Sequence, residues 1–223
     1  MRPLRHALVI VPFLALGCSS STSTSAPTPT TTVLSSGANP SVAGQSVDLT
    51  ATISGGSGGN TGTVSFADSG VTLAGCAAQP VTAGQASCTF SAAFPGTHPL
   101  GATYHGDPSS EASVATVVVQ VVHSASTTTT ITLASPQANP GGPITLSGIV
   151  SVNAPGAGSP QGNVAFISGG NLIASCALAP LNAQMGCQAS ATLAPGSRTI
   201  TASFPGDANF FTSVSAGLQV VVN

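Results

Sequence analysis

Gly62-Thr63-Val64-Ser65-Phe66 returns about 100 residues later as Gly162-Asn163-Val164-Ala165-Phe166, and the reading of this pair decides the fold. In both stretches a Val and a Phe stand two positions apart, the spacing at which a β-strand returns to one face. A glycine opens each, as a turn into a strand does. Outward from them the same marks recur in the same order. Asn39-Pro40 answers Asn139-Pro140, Cys76 answers Cys176 and Cys88 answers Cys187. Pro95-Gly96 answers Pro195-Gly196, and Tyr104-His105-Gly106-Asp107 answers Phe204-Pro205-Gly206-Asp207. Two length differences nearly cancel: the segment after Asn139-Pro140 is three residues shorter and the next loop three longer. Such differences belong in loops, so they bracket one strand. A period this long exceeds that of solenoid repeats and predicts two tandem domains.

Within each unit the apolar spacing stays at two. Val47, Leu49, Ala51 and Ile53 alternate with polar residues, as do Ile144, Leu146, Gly148 and Val150. Leu100, Ala102 and Tyr104 match Ile200, Ala202 and Phe204, each set with one face inward. Val114 to Val122 and Leu218 to Val222 read as Val-rich last strands. No stretch of ten residues beyond the N-terminal apolar run shows a helical period. The fold class is therefore all-β: two antiparallel sandwiches of about seven short strands each, separated by Gly/Pro/Asn turns.

Of 223 residues only five are acidic and three basic, 4% charged, and lysine is absent. An ordinary domain carries about 25% charged residues. The chain cannot build the basic footprint of a nucleic-acid binder. It lacks the lysine of a phosphate-binding loop. Gly (26) and Pro (17) with so little Glu exclude a coiled coil.

Met1-Arg2-Pro3-Leu4-Arg5, the apolar run Ala7 to Leu16 and then Gly17-Cys18-Ser19-Ser20 have the three-part layout of a secretory signal peptide, assigned to residues 1–17. Leu14-Ala15-Leu16-Gly17-Cys18 resembles a bacterial lipobox, although Ala15 stands where Leu is commoner. That resemblance implies a lipid on Cys18 and anchoring at the bacterial cell envelope, at the outer membrane or cell surface. The alternative is cleavage near Ala26 and a free secreted protein. Residues 18–30, rich in Ser, Thr and Pro, read as a flexible tether. Cysteine parity agrees with lipidation: with Cys18 modified, Cys76, Cys88, Cys176 and Cys187 remain as two close pairs. Export permits disulfides, whereas neither pair has the CxxC spacing or nearby His of a zinc site. Both bridges are expected on consecutive strands around turns, near Thr82–Gly84 and near Leu181-Asn182.

The run Thr128-Thr129-Thr130 before a first strand, Asn-Pro, Gly-x-Val-x-Phe, Pro-Gly followed by alternating apolar residues, and Gly-Asp together resemble the bacterial immunoglobulin-like domain repeats of surface and secreted proteins. The resemblance covers residues 31–122 and 128–223, with 123–127 as a linker. Pro99, His105 and Pro205 depart from the usual pattern. The resemblance implies a spacer or adhesion module without chemistry of its own. The Cys…Trp…Cys core of antibody domains is missing, because the chain has no Trp and its paired cysteines lie too close in sequence.

Candidate chemistry is sparse. Gly55-Gly56-Ser57-Gly58-Gly59 matches the Gly-x-Ser-x-Gly nucleophile pattern, but the second unit offers Ala154-Pro155-Gly156-Ala157-Gly158 at the same loop. His98, His105 and His123 share no ligand spacing and are expected at the surface. Asp107 and Asp207 recur in both units. They are weak calcium candidates, set against the reading that Gly-Asp starts a turn in which Asp caps its own backbone. No other metal site, no catalytic residue and no cofactor is expected. The apolar pair Phe210-Phe211 is either a contact point or domain packing. Two functions follow: a structural or adhesive surface lipoprotein, or an extracellular ligand-binding module, for polysaccharide as an example. With one Tyr, eight Phe and no Trp, aromatic sugar platforms are scarce. The expected partners are a membrane, through the lipid, and an unidentified protein or polysaccharide, with no nucleic acid. The short joint at His123 to Ser126 predicts little inter-domain freedom.

Overall fold

The computed structural model describes residues 26–134, 142–181 and 184–222. The signal region, Cys18, most of the tether, Asn139-Pro140 and Asn182 lie outside the described residues. Among the described residues there is no helix.

The first domain runs β1 (Thr30–Ser36), β2 (Ser41–Val42), β3 (Val47–Gly55), β4 (Thr63–Asp68), β5 (Val71–Thr72), β6 (Gln79–Pro80), β7 (Gln85–Phe90), β8 (Gly96–Tyr104), β9 (Ser113–Val114) and β10 (Val118–His123). One sheet has the order β1-β3-β7; the other has β2-β10-β8-β4-β5, with β6 on β4 and β9 on β8. The second domain follows with β11 (Thr127–Leu133), β12 (Pro143–Val152), β13 (Asn163–Ser168), β14 (Asn171–Ala177), β15 (Ala179–Leu181), β16 (Gln184–Thr192), β17 (Gly196–Phe204), β18 (Ser213–Val214) and β19 (Leu218–Val222). Its sheets are β11-β12-β16-β15 and β14-β13-β17, with β18 and β19 on β17. All pairings between these strands are antiparallel except β2 on β10.

Every alternating set faces inward. Leu49, Ala51, Val64, Phe66, Leu100 and Tyr104 are fully buried, as are Leu146, Val164, Phe166, Ile200, Ala202 and Phe204 in the second domain. Each sheet buries one face against the other, so a strand with period two has no other stable register. The expected last strand Val114 to Val122 is not continuous. It breaks into β9 and β10, which pair with separate stretches of β8 at Thr103-Tyr104 and Gly96–Leu100; between them Ala115 N–H still bonds Ala102 O at 2.9 Å, but the ladder is irregular through Val117. Val114 and Val117 consequently point into solvent, 70% and 55% exposed.

Cys76–Cys88 and Cys176–Cys187 are disulfide-bonded. Their placement corrects the expectation of neighbouring strands in one ladder. Cys176 sits on β14, opposite Val164 of one sheet, and Cys187 sits on β16, opposite Gly148 of the other. Cys76 lies in the loop after β5, and Cys88 on β7 of the opposite sheet. Both bridges therefore tie the two sheets together across one open side of the sandwich.

The equivalent segments Gln79-Pro80 and Ala179-Pro180 join different ladders. In the second domain Ala179–Leu181 pairs with β16 and extends that sheet. In the first, Thr82 and Gln85 make one bridge, after which Gln79-Pro80 turns to β4. A groove lined by Thr50, Gln79, Thr82, Gln85 and Ser87 lies beside β7 as a result.

Candidate functional site

The Gly-Asp loops were the first candidates, and both are built alike. Asp107 follows Gly106 at the end of β8, and its carboxylate fastens two loops together. Oδ1 accepts Ser109 N–H at 2.8 Å and Ser109 Oγ at 2.9 Å; Oδ2 accepts Thr61 N–H at 2.7 Å and Thr61 Oγ1 at 2.9 Å. In the second domain Asp207 accepts Asn209 N–H at 2.8 Å, Phe210 N–H at 3.0 Å and Gln161 N–H at 2.8 Å. Donor hydrogens thus point where a calcium ion would have to bind, and a hard cation needs lone pairs free of them. Among the described residues no group of three His, Cys, Asp or Glu comes together. The geometry is that of a turn-capping aspartate reaching across to a second loop.

These donors have an electrostatic consequence. The N–H groups of Ser109 and Thr61 hold the Asp107 carboxyl well below the usual carboxylate range. Tyr104, fully buried, donates its hydroxyl to Thr61 O at 2.7 Å beside Asp107. Burial first, and the neighbouring carboxylate second, push that hydroxyl above its usual pKa.

The histidines separate. His105 and His123 are exposed, as expected, with His105 Nε2 3.0 Å from Ser65 Oγ. His98 is only partly exposed, because β8 places positions 98, 100, 102 and 104 on its inward face. Its Nδ1 lies 2.7 Å from Asp68 Oδ2, and its ring meets Phe90 edge-on, with centroids 5.5 Å apart. The pair closes the rim of the core. Ser57, the centre of the Gly-x-Ser-x-Gly pattern, exchanges hydrogen bonds with Ser109 and fixes the loop.

Three features lie outside the candidate site residues read from the sequence. Ser113 Oγ lies 2.7 Å from both Thr30 Oγ1 and Thr32 Oγ1. Ser213 Oγ repeats this with Thr127 and Thr129, also at 2.7 Å. Alternate threonines of each first strand thus close the sandwich edge by hydroxyl contacts. Gln120 is fully buried, donating to Ala38 O at 2.8 Å and Ser41 Oγ at 3.0 Å while accepting from Ser36 Oγ at 2.6 Å. Asn39 continues the edge of β10 with its side chain: Nδ2 donates to Val119 O at 2.8 Å, and Oδ1 accepts Val121 N–H at 2.9 Å.

Gln120 and Asn39 thereby hold the loop that carries Val42, Ala43 and Gly44, and this loop meets the second domain. Ala43 N–H donates to His123 O at 2.8 Å, and Ala157 N–H donates to Ala43 O at 3.2 Å. Ala43 is fully buried and belongs to the core of the second domain, with Val42 packed against it. The joint residues are bonded in turn. Ala125 N–H donates to Asn209 O and Ala125 O accepts Phe211 N–H, both at 2.9 Å; Ser126 O accepts Asn153 N–H at 2.9 Å. Of the Phe pair, Phe210 is buried in this contact at 4% exposure and Phe211 stands 55% exposed.

A model of the bacterial Ig-like domain (group 3) matches residues 19–123 and again residues 124–223. No curated protein matches the sequence. Among solved structures, the fibronectin(III)-like modules of Clostridium thermocellum CbhA share 15% identity over 86% of this chain and 94% of theirs, with a TM-score of 0.32. The Escherichia coli adhesin FdeC shares 15% identity over 86% of this chain and 64% of its own, with a TM-score of 0.35. The Yersinia pseudotuberculosis adhesin InvE shares 14% identity over 87% and 58%, with a TM-score of 0.37. The repeat read in the sequence and the paired sandwiches agree with the domain model over both halves, and the chain belongs to the bacterial Ig-like domain family (group 3).

Proposed function

We propose that this chain is a non-catalytic envelope lipoprotein, anchored through Cys18, whose two Ig-like domains serve as a spacer and adhesion module. The observation that supports this most is where its few ionisable side chains sit. Asp107 and Asp207 fasten loops, Asp68 holds His98 at a core rim, and the Arg198 Nε–H points to Ala194 O at 3.4 Å. General acid–base chemistry needs a titratable pair facing a substrate cavity; Asp107, Asp207 and Arg198 face backbone groups instead, and the Asp68–His98 pair packs against Phe90 at the core rim. The exposed valines Val71, Val114, Val119, Val214 and Val221 stand on sheet edges and faces, an apolar surface suited to protein contact.

The groove beside β7 favours a second reading, a polysaccharide-binding module. Its hydroxyl and amide groups from Thr50, Gln79, Thr82, Gln85 and Ser87 suit a neutral, hydroxyl-rich ligand, although no aromatic ring lines it.

Mass spectrometry of the exported protein from a bacterial host tests the anchor, with four oxidised cysteines and a lipid-modified Cys18 expected. Cys18→Ala should move the protein from the membrane to the soluble fraction. An unmodified N-terminus near Ala26 would overturn the lipoprotein reading. Calorimetric titration with envelope polysaccharide separates the two functions: binding that Gln85→Ala abolishes would replace adhesion by the second reading.

A further inference from the structure

We infer that the two domains form one rigid body, held by a plug on the first domain, Val42–Gly44, seated in a socket on the second formed by Ala125, Ala157 and Phe210. Three independent observations support this. First, Ala43 is completely buried, and the side chains that bury it are those of the second domain's core. A residue counted in a neighbour's core cannot be withdrawn without opening a void there. Second, only Ser124, Ala125 and Ser126 separate β10 from β11, and the last two of these are hydrogen-bonded into the second domain. A joint with Ala125 and Ser126 bonded this way leaves few torsions about which to swing. Third, the contact requires very small residues. Gly44 has φ of +74°, and a Cβ there would overlap the Ala157 carbonyl oxygen. Within the socket itself a Cβ on Gly156 would lie 2.6 Å from that of Ala125, so its wall is also close-packed.

The first domain also braces the plug from behind. Gly44 N–H donates to Ala92 O at 2.8 Å, and the buried Gln120 fixes the loop at Ala38 and Ser41. The plug is therefore a fixed projection rather than a mobile turn. At the same end of the first domain's own fold the design is different. Thr28 occupies the position of Ala125, bonding Ser109 O and Glu111 N–H, each at 2.9 Å. Above it, Ser110 Oγ donates to Asn60 Oδ1 at 3.0 Å, and Ser57 and Ser109 close the loop. Polar groups satisfy one another there, where the second domain presents Ala157 and Phe210 to its neighbour. The socket is thus specific to the joint and not a general property of these loops.

Residual dipolar couplings measured on the isotope-labelled whole protein test the inference without altering it. Couplings from the two domains should fit one alignment tensor, with a magnitude ratio of 1 within error. Separate tensors of unequal magnitude in the unaltered protein would overturn it. Gly44→Asn sharpens the test, since Asn tolerates the left-handed backbone but still carries the Cβ that meets Ala157. This variant should give two distinct tensors while Leu49, Phe66, Phe166 and Phe204 keep their native shifts. A single shared tensor in folded Gly44→Asn would show that the plug is not what holds the domains. The outcome is independent of lipid on Cys18, so this inference and the proposed function can fail separately.

Discussion

Removing the disulfides one domain at a time gives a quantitative test of where they sit. The bridges close loops of 12 and 11 residues. In the chain-entropy picture each restrains the unfolded chain by about 2.8 kcal/mol, nearly the same for both. For domains of roughly 100 residues that corresponds to a fall in melting temperature of roughly 10 to 20 °C. The two replacements should nevertheless differ locally. In the second domain Cys176 lies within the β13–β14 ladder, paired with Val164 ahead of the register shift at Phe166/Ile167, and this ladder survives without the bridge. In the first, Cys76 sits in a loop attached by few bonds: Phe66 N–H to Cys76 O at 3.0 Å, Leu73 N–H to Phe66 O at 2.9 Å and Cys76 N–H to Leu73 O at 3.0 Å. Cys76→Ala with Cys88→Ala should therefore release this loop as well as lower stability. Urea unfolding followed peak by peak in NMR spectra reports each domain in one sample, and amide exchange reports Phe66. The expected result is a comparable loss in the altered domain of either double variant, with faster Phe66 exchange only in the first. A loss below about 1 kcal/mol would refute the chain-entropy reasoning, and a Phe66 amide as protected as before would refute the claim that the first bridge holds this loop to the opposite sheet.

Two further perturbations follow from the Asp107 loop. Its folded-state pKa lies below the unfolded value, so its contribution is fully present above the unfolded pKa of about 3.9 and declines as pH falls from there toward the folded value. Asp107→Asn should destabilise the first domain at neutral pH and flatten its stability profile across the acid range, measured by urea titration at several pH values. Tyr104→Phe removes the hydroxyl that Thr61 O accepts at 2.7 Å, and the second domain already carries Phe204 at this position. The substitution should fit without rearrangement and cost about 1 kcal/mol. A larger loss in urea, with shifts throughout the core, would show that the site is not equivalent in the two domains.

The inward-facing alternation was legible because a sandwich buries one face of each strand, which leaves Val64, Phe66, Val164 and Phe166 a single place to go. Cysteine pairing was legible from parity, but the location of the bridges was not. Gln79-Pro80-Val81 and Ala179-Pro180-Leu181 are close in sequence yet join opposite sheets, and that choice depends on long-range partners rather than local propensity. Gln120 reads as a surface residue by type. Its position between Val118 and Val122 in a period of two was the available signal, and its partners Ser36 and Ser41 lie about 80 residues away. The hydroxyl contacts of Ser113 and Ser213 were hidden in the same way, although their recurrence opposite alternating threonines in both units offered a clue. The joint was the least legible feature, since Ala43-Gly44 reads as an ordinary turn and nothing local distinguishes a turn in solvent from one seated in a neighbour's core. The two units share a fold and diverge at their ends. Where a domain meets its own loops, Ser, Asn and Thr bond one another; where it meets another domain, Ala, Gly and Phe pack. For a repeat protein this exchange of polar for small apolar residues at equivalent loop positions is itself a readable mark of which ends touch.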